Sequence, residues 1–238
     1  MELKPLARRV KTLLQIATGS EPLIRADVRI SKERFGSTYG GWEISTEAIS
    51  EGSIVYSIGV GQDVSFDLAL IERFGLAIFA FDPTPKSLHW VEQQSLPDLF
   101  KIHSYGIADF DGTVSFNPPE NPDHVSHTLL ERPETAAESI TVPVKKLSTI
   151  MQELGHSHID ILKMDIEGAE YAVIQDICSS DIRPKQILVE FHHRFETVSV
   201  DKTLEAIAVL RNNAYKLFSV SSTNEEFSFI HQSALTNV

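Results

Sequence analysis

The sequence has a single cysteine, Cys178, among its 238 residues, and this scarcity excludes a disulfide within the chain. It also lacks any run of about 18 apolar residues, so we expect no membrane-spanning segment. Basic residues are the minority charge, with 21 lysines and arginines against 33 acidic residues and a net charge of −12. Because an acidic surface repels phosphate backbones, we expect no nucleic-acid partner. These features favour a globular protein of the cytoplasm.

The first twenty residues are basic and partly apolar, but basic residues interrupt the apolar stretch that a signal peptide needs. The spacing of the leucines predicts an amphipathic helix instead. We interpret residues 1–52 as an N-terminal helix and a flap segment packed on the core. Residues 53–238 are interpreted as the main α/β unit, with a long insertion at 107–158. Together they are expected to form one structural domain.

From Ser53 onward, short β-branched runs alternate with helical patterns. Continuous apolar runs are typical of parallel strands that are covered on both faces. The predicted strands are 53–58, 76–81, 101–106, 160–164 and 186–191, and the predicted helices are 64–74, 84–94, 168–178 and 198–211. Two final strands, 215–222 and 226–232, are joined by three residues, so they can pair only as an antiparallel hairpin. The sequence therefore predicts a doubly wound, mostly parallel Rossmann-like α/β sheet closed by a C-terminal antiparallel hairpin.

The first core strand runs into a glycine turn that contains Gly59 and Gly61, and a helix follows at once. A strand, a glycine turn and a helix form the geometry that cradles a nucleotide. The second strand ends in Asp82, where an acidic side chain can accept the ribose hydroxyls of an adenosine cofactor. The alternative is that Asp82 caps the next helix. Thr84, placed before Pro85, is the better cap and leaves Asp82 free.

Asp63 helps to decide which adenosine cofactor the turn binds. It stands at the start of the helix, next to the position at which a dinucleotide fingerprint has its third glycine. A carboxylate there repels the pyrophosphate of NAD or FAD. S-adenosylmethionine (SAM) has no phosphate and carries a sulfonium cation. The turn therefore favours SAM, with an NAD-dependent oxidoreductase as the alternative enzyme.

The most specific motif, LKMDIEGAE at 162–170, follows the fourth core strand. It places Asp165, Glu167 and Glu170 within six residues at the edge where parallel strands end. Carboxylates there can hold an amino group, bind a metal or act as a base. Asp165 and Glu167 are predicted to be catalytic, whereas Glu170 is interpreted as satisfying a helix N-terminus.

This motif resembles the LK-[ILM]-D-[IV]-EGAE signature of the FkbM family of SAM-dependent methyltransferases. The likeness covers about residues 36–195, in the segments GSTYGGW (36–42), VYSIGVGQDVSFD (55–67), FDPTP (81–85), GIADFDGTVSF (106–116), LKMDIEGAE (162–170) and ILVEFHH (187–193). The resemblance implies a class I methyltransferase fold and methyl transfer, usually to a hydroxyl oxygen of a sugar or secondary metabolite. It also implies that Gly59, Gly61, Asp82 and Asp165 line the SAM site, and Asp109 is placed with them.

Two residues depart from the pattern of the family. Ser57 stands where many members have an acidic residue on the first strand, and Asp63 replaces a frequent glycine. Both substitutions fall where the methionine end of SAM is held. They keep open a second hypothesis, in which the fold has lost its chemistry and serves as a partner subunit.

Histidines and a tyrosine complete the predicted site. His192, after the fifth core strand, and His127, in the insertion, are candidate bases for a hydroxyl proton. Asp165, Glu190 and His192 follow adjacent strand ends and could together hold Mg²⁺, although no compact metal-spacing motif supports this. Tyr39 is expected to reach the cofactor from a flap, with core packing of its segment as the alternative. Sugars, polyketides and lipid-linked glycans stay open as acceptors, and so does nitrogen beside oxygen.

Overall fold

The structure is a computed structural model that describes residues 15–16, 18–116, 139–195 and 198–235. Most of the predicted N-terminal helix lies outside these ranges. The strands are β1 (Glu33–Phe35), β2 (Trp42–Ile44), β3 (Val55–Ile58), β4 (Ile78–Phe81), β5 (Phe100–His103), β6 (Gly106–Ile107), β7 (Gly112–Phe116), β8 (Ile140–Lys145), β9 (Ile161–Met164), β10 (Gln186–Glu190), β11 (Tyr215–Val220) and β12 (Glu226–His231). The α-helices are α1 (Ser65–Phe74), α2 (Pro85–Glu92), α3 (Leu147–Leu154), α4 (Glu170–Ser179) and α5 (Val200–Asn212).

Seven strands form the central sheet in the order β11-β12-β10-β9-β3-β4-β5. The five strands from β10 to β5 are parallel, and β12 lies antiparallel to both β10 and β11. The predicted doubly wound, mostly parallel sheet with its C-terminal antiparallel hairpin is therefore confirmed. The chain proceeds outward from β3 to β5 and then returns to the opposite side of β3 at β9. The strand order reverses between β3 and β9, which is where sheets of this kind bind ligands.

The sheet has an apolar core on each face because successive strand residues point to opposite sides. Tyr56 and Leu162 belong to a cluster covered by α3, α4 and α5. Val55 and Ile161 belong to a second cluster, covered by α1, α2 and the β1–β2 hairpin. In the described ranges, no helix is long and apolar enough to cross a bilayer.

The strand predicted just before the insertion differs in the structure. The expected strand 101–106 is divided, because β5 ends at His103 and Gly106 begins β6 in a separate three-stranded sheet of order β6-β8-β7. Gly106 pairs with Val144 on β8, a partner distant in sequence that no pattern within 101–106 reveals. The chain therefore leaves the central sheet after His103 and enters the second sheet at Gly106, at the edge of the candidate site.

A buried carboxylate ties the described N-terminal segment to the core. Glu21 accepts hydrogen bonds from Arg194 Nε (2.6 Å) and Asn224 Nδ2 (3.0 Å), and its Oε2 lies 3.0 Å from His193 Nε2. Burial alone would raise the pKa of Glu21, but these partners outweigh burial and lower the pKa. The contacts hold the segment against the ends of β10 and the β11–β12 turn.

Substitution of two glycines by alanine tests how closely β3 approaches β9. Gly59 has φ +79°, and a Cβ there would lie 1.8 Å from the Asp165 carbonyl oxygen. Gly75, at the end of α1, has φ +66°, but a Cβ there would meet no atom within 4 Å. We expect Gly75→Ala to cost about 1–2 kcal/mol of unfolding free energy, from its backbone conformation alone. Gly59→Ala should cost at least ~3 kcal/mol or prevent folding.

Urea unfolding of both variants measures this difference, and Gly75→Ala serves as the matched control for positive φ. Equal losses in the two variants would show that the close approach of Gly59 to Asp165 is absent in solution.

Candidate functional site

A cavity of 880 Å³ opens at the carboxyl ends of β3, β4, β9 and β10. Its volume lies in the upper part of the range of about 300–1,000 Å³ typical of small-molecule sites. The β1–β2 turn and the β11–β12 turn complete its walls. The cavity-lining residues that were predicted from the sequence are Gly59, Gly61, Asp63, Asp82, Asp165, Glu167, Glu190 and Tyr39. The structure thus brings most of the predicted site together.

Asp82 holds the glycine turn in place. Its Oδ2 accepts from the backbone amides of Val60 and Gly61, each at 3.0 Å, and its Oδ1 accepts from the amide and hydroxyl of Thr84. A carboxylate has about four acceptor positions, so these donors occupy all of them. The expectation that Thr84 leaves Asp82 free is therefore wrong. Two backbone segments distant in sequence converge on this one buried side chain.

Asp63 joins the glycine turn to the flap. Its Oδ1 accepts from the Ser65 amide at 2.7 Å, which satisfies the start of α1, and its Oδ2 accepts from the Ser37 hydroxyl at 2.8 Å. Ser37 Oγ in turn accepts from the amides of Tyr39 and Gly40. Burial would raise the pKa of Asp63, but these hydrogen bonds and the charge of Lys163 outweigh it and lower the pKa. Asp63 is therefore an ionised carboxylate at the cavity wall.

The flap segment takes part both in core packing and in the cavity, the two roles that the sequence left open. Trp42 is buried in the core, whereas Tyr39 is 87% exposed at the rim of the cavity. Partial desolvation of the Tyr39 hydroxyl, and then the charges of Asp165 and Glu190, raise its pKa. Tyr39 therefore lies at the rim of the cavity, within the electrostatic influence of its acidic side chains.

Lys163 is a buried cation below the glycine turn that the sequence analysis did not assign to the site. It lies beside Ser57 on the neighbouring strand, and its Nζ donates to the Gly59 carbonyl at 2.6 Å. The ammonium also lies 6.0 Å from the centre of the Trp42 ring. The signal was a lysine inside an otherwise apolar strand, because a charge placed there needs partners.

Asp67, on α1, supplies a carboxylate to the same buried group. It faces Ser57 and Lys163, and burial raises its pKa to about 6 against the attraction of the Lys163 charge. An acidic side chain therefore lies next to Ser57, the position at which many family members carry the acid on the strand itself.

Asp165, Glu167 and Glu190 form the acidic side of the cavity, at the ends of β9 and β10. Burial, and then the charge of Asp165, raise the pKa of Glu190. Glu167 has φ +52°, a left-handed conformation that a non-glycine residue rarely adopts. Such strain is concentrated at functional sites, where the surrounding structure enforces it.

His192 lies behind these carboxylates and is held by Glu170. The fully buried Glu170 accepts from the backbone amides of Gly168 (2.9 Å) and His192 (3.0 Å), and lies 3.3 Å from His192 Nδ1. Glu170 therefore does more than satisfy a helix start. Burial would lower the pKa of His192, but the hydrogen bond to Glu170 and the charges of Glu170, Glu167 and Asp165 raise it to about 10. A protonated imidazole cannot accept a proton, so this state does not fit the predicted role of a base.

Three predicted residues are not among the residues that line the described cavity, and the first is His192, which lies behind the carboxylates. Asp109 is exposed and is not among the cavity-lining residues. His127 lies outside the described residues. The predicted metal group is brought together, since Asp165, Glu190 and His192 each offer a ligand atom, and these atoms all lie within 4.8 Å of one another.

Comparison with known proteins identifies the family. Residues 50–217 match the family described as the methyltransferase FkbM domain. The chain belongs to this family. The resemblance predicted from LKMDIEGAE is thereby confirmed.

The individual FkbM relatives are distant. The chain is 26% identical to a probable methyltransferase-like protein 24 of Rattus norvegicus over 179 residues, 74% of this chain and 41% of that protein. It is 22% identical over 215 residues to the 31-O-demethyl-FK506 methyltransferase FkbM of Streptomyces tacrolimicus, covering 77% and 80% of the two chains. The chain spans less than half the length of the mammalian relatives that it matches. A crystal structure of a methyltransferase FkbM from Methylobacillus flagellatus KT aligns with a TM-score of 0.49 at 13% identity, over 77% of this chain and 44% of that one.

The buried Asp67 predicts a specific pH dependence of stability. Its pKa in the folded state is raised to about 6 from the ordinary value of 3.8, so the unfolded chain ionises first as the pH rises. The folded state should therefore lose stability between about pH 4 and pH 6, by roughly 3 kcal/mol for a shift of about two pKa units. Two other charged groups face Asp67. They are Lys163 and Asp63, and the pKa of the Asp63 carboxyl is lowered.

Asp67→Asn removes the ionising group, so this part of the pH dependence should disappear. Urea unfolding at several pH values measures the slope, with the exposed Asp98→Asn as the control that keeps the wild-type slope. An unchanged slope in Asp67→Asn would assign the pH dependence to other groups.

Proposed function

We propose that the protein is a SAM-dependent methyltransferase that methylates a hydroxyl oxygen of a small-molecule or glycan acceptor in the cytoplasm. The observation that carries the proposal is the cavity itself. It lies between a glycine turn and a group of carboxylates at the point where the strand order reverses, in a chain of the FkbM family.

The residues of this cavity fit SAM better than a dinucleotide. Asp63 is ionised beside the glycine turn, and a phosphate placed there would meet its negative charge. Asp82 already occupies the amides of Val60 and Gly61, which a pyrophosphate would need as donors. Lys163 is engaged with the Gly59 carbonyl. The wall thus presents carboxylates rather than phosphate-binding groups, which supports a cationic cofactor.

Bound SAM supplies an electrophilic methyl group on a sulfonium centre. In this proposal the turn from Gly59 to Gly61 holds the adenosine end, and Asp82 positions the turn through its backbone amides. Asp165 lies next to Gly59 and faces the methionine end. These residues bind and orient, and orientation of the reacting atoms accounts for much of the rate in a direct transfer.

Glu167 is the residue to which we assign the hydroxyl proton. It lines the cavity close to Asp165, and its backbone has the left-handed conformation that is rare outside functional sites. The reaction removes one positive charge from sulfur and releases one proton from the acceptor oxygen. A nearby carboxylate takes up that proton, so charge and atoms balance without further reactants.

Calorimetric titration of SAM, and separately of NAD, into the full chain tests the cofactor. We expect one SAM site per chain and no NAD binding. Release of S-adenosylhomocysteine with a pool of hydroxylated acceptors then tests the chemistry. A protein that binds NAD but not SAM would revive the oxidoreductase alternative. SAM binding without turnover on hydroxyl or amine acceptors would favour a partner subunit.

Glu167→Gln tests the assignment of the proton acceptor. It retains the shape of the side chain but cannot take up a proton, so turnover should fall by about 10²–10⁴-fold. SAM affinity should change by less than about threefold, because the adenosine end is held elsewhere. Glu167→Asp retains a carboxylate and should restore part of the activity. Equal turnover in Glu167→Gln and the wild-type protein would move the role to another group.

A further inference from the structure

Two carboxylates and one imidazole lie around one point near the ends of β9 and β10. Asp165, Glu190 and His192 each offer one ligand atom within 4.8 Å of the other two. Two donors that share an ion at about 2.1 Å are roughly 3.0–3.5 Å apart at octahedral or tetrahedral angles. His192 Nε2 lies 3.7 Å from Asp165 Oδ1, so this pair needs only a small contraction to share an ion.

His192 has the surroundings of an oriented metal ligand. Its side chain is more than nine-tenths buried, and Nε2 points towards the carboxylates. Nε2 is 3.5 Å from Glu167 Oε2 and 3.7 Å from Asp165 Oδ1, and a metal ion bound there would displace the proton that these carboxylates stabilise on the imidazole. The other nitrogen, Nδ1, is held by the buried Glu170. A carboxylate on the far nitrogen is the arrangement that fixes metal-binding histidines in proteins.

Glu190 adds a second, independent observation. Its side chain is half-buried and lines the cavity, and no hydrogen bond from the described residues reaches its carboxylate. Asp165, and then Glu226 and Glu225, add negative charge around it. A partly desolvated carboxylate among other carboxylates is unfavourable as an anion, so it either takes up a proton or is compensated by a cation.

We propose that Asp165, Glu190 and His192 bind a divalent transition-metal ion of the Mn²⁺ type. The imidazole nitrogen favours such an ion over Mg²⁺, which prefers oxygen ligands. Asp165 and Glu190 line the cavity, so the ion keeps coordination positions open towards an acceptor. An acceptor hydroxyl bound there would be positioned and made more acidic. This role in methyl transfer rests on the proposed function, whereas the metal site does not.

Titration of Mn²⁺ into the full chain without SAM, followed by electron paramagnetic resonance, tests the site. We expect one Mn²⁺ per chain, with Mg²⁺ competing at least about tenfold more weakly. Glu190→Gln should weaken both ions at least tenfold. His192→Asn should weaken Mn²⁺ far more than Mg²⁺, because it removes the nitrogen that distinguishes them. Asp98→Asn is the control: this carboxylate is exposed and does not line the cavity, so Mn²⁺ affinity should stay unchanged.

Thermal unfolding and SAM titration show whether each variant is folded, and Asp165→Asn replaces any variant that is not. The proposal is overturned if the wild-type protein binds no Mn²⁺ saturably, or if Glu190→Gln and His192→Asn bind it like the wild type. SAM binding without Mn²⁺ binding would remove the metal site alone. Mn²⁺ binding that depends on Glu190, without SAM binding, would remove the proposed function alone.

Discussion

The close contact between β3 and β9 is the constraint on which the rest of the site depends. Gly59 allows the Asp165 carbonyl to approach the turn, and the Asp165 amide donates to the Ile58 carbonyl at 3.1 Å. Lys163 binds the carbonyl side of the turn and Asp82 binds its amide side. The turn is therefore fixed from both directions before any ligand arrives. A binding loop that is already ordered loses less conformational entropy when it binds.

The wall of the cavity is acidic, like the chain as a whole. The net charge of −12 is reflected in a wall where carboxylates outnumber the lysine beneath it. Such a field attracts sulfonium, ammonium and metal cations and repels phosphates and carboxylates. The acidic composition from which we expected no nucleic-acid partner is thus also found in the wall of the cavity.

The sequence predicted the sheet well because its signals are local. Apolar runs, the glycine turn and the short connection between β11 and β12 were enough to predict the fold class. The sequence did not predict contacts in which one side chain binds segments that are distant in the chain. Asp82 joins the amides of Val60 and Gly61 to Thr84, and no spacing rule specifies that all four of its donors are already present. Gly106 was misplaced for the same reason, since its partner lies across the insertion.

The adjacent histidines after β10 show how the packing of two faces fixes the acidic group. Because neighbouring strand residues point to opposite sides, His192 faces Glu170 and His193 faces Glu21. Each imidazole meets a fully buried carboxylate, so the end of β10 is fastened on both faces at once. Glu190 lies two residues before His192 and ends β10, beside the strand end that leads to Asp165. Because β10 is fastened just beyond Glu190, its backbone is held next to Asp165, and the negative charge stays concentrated at one point.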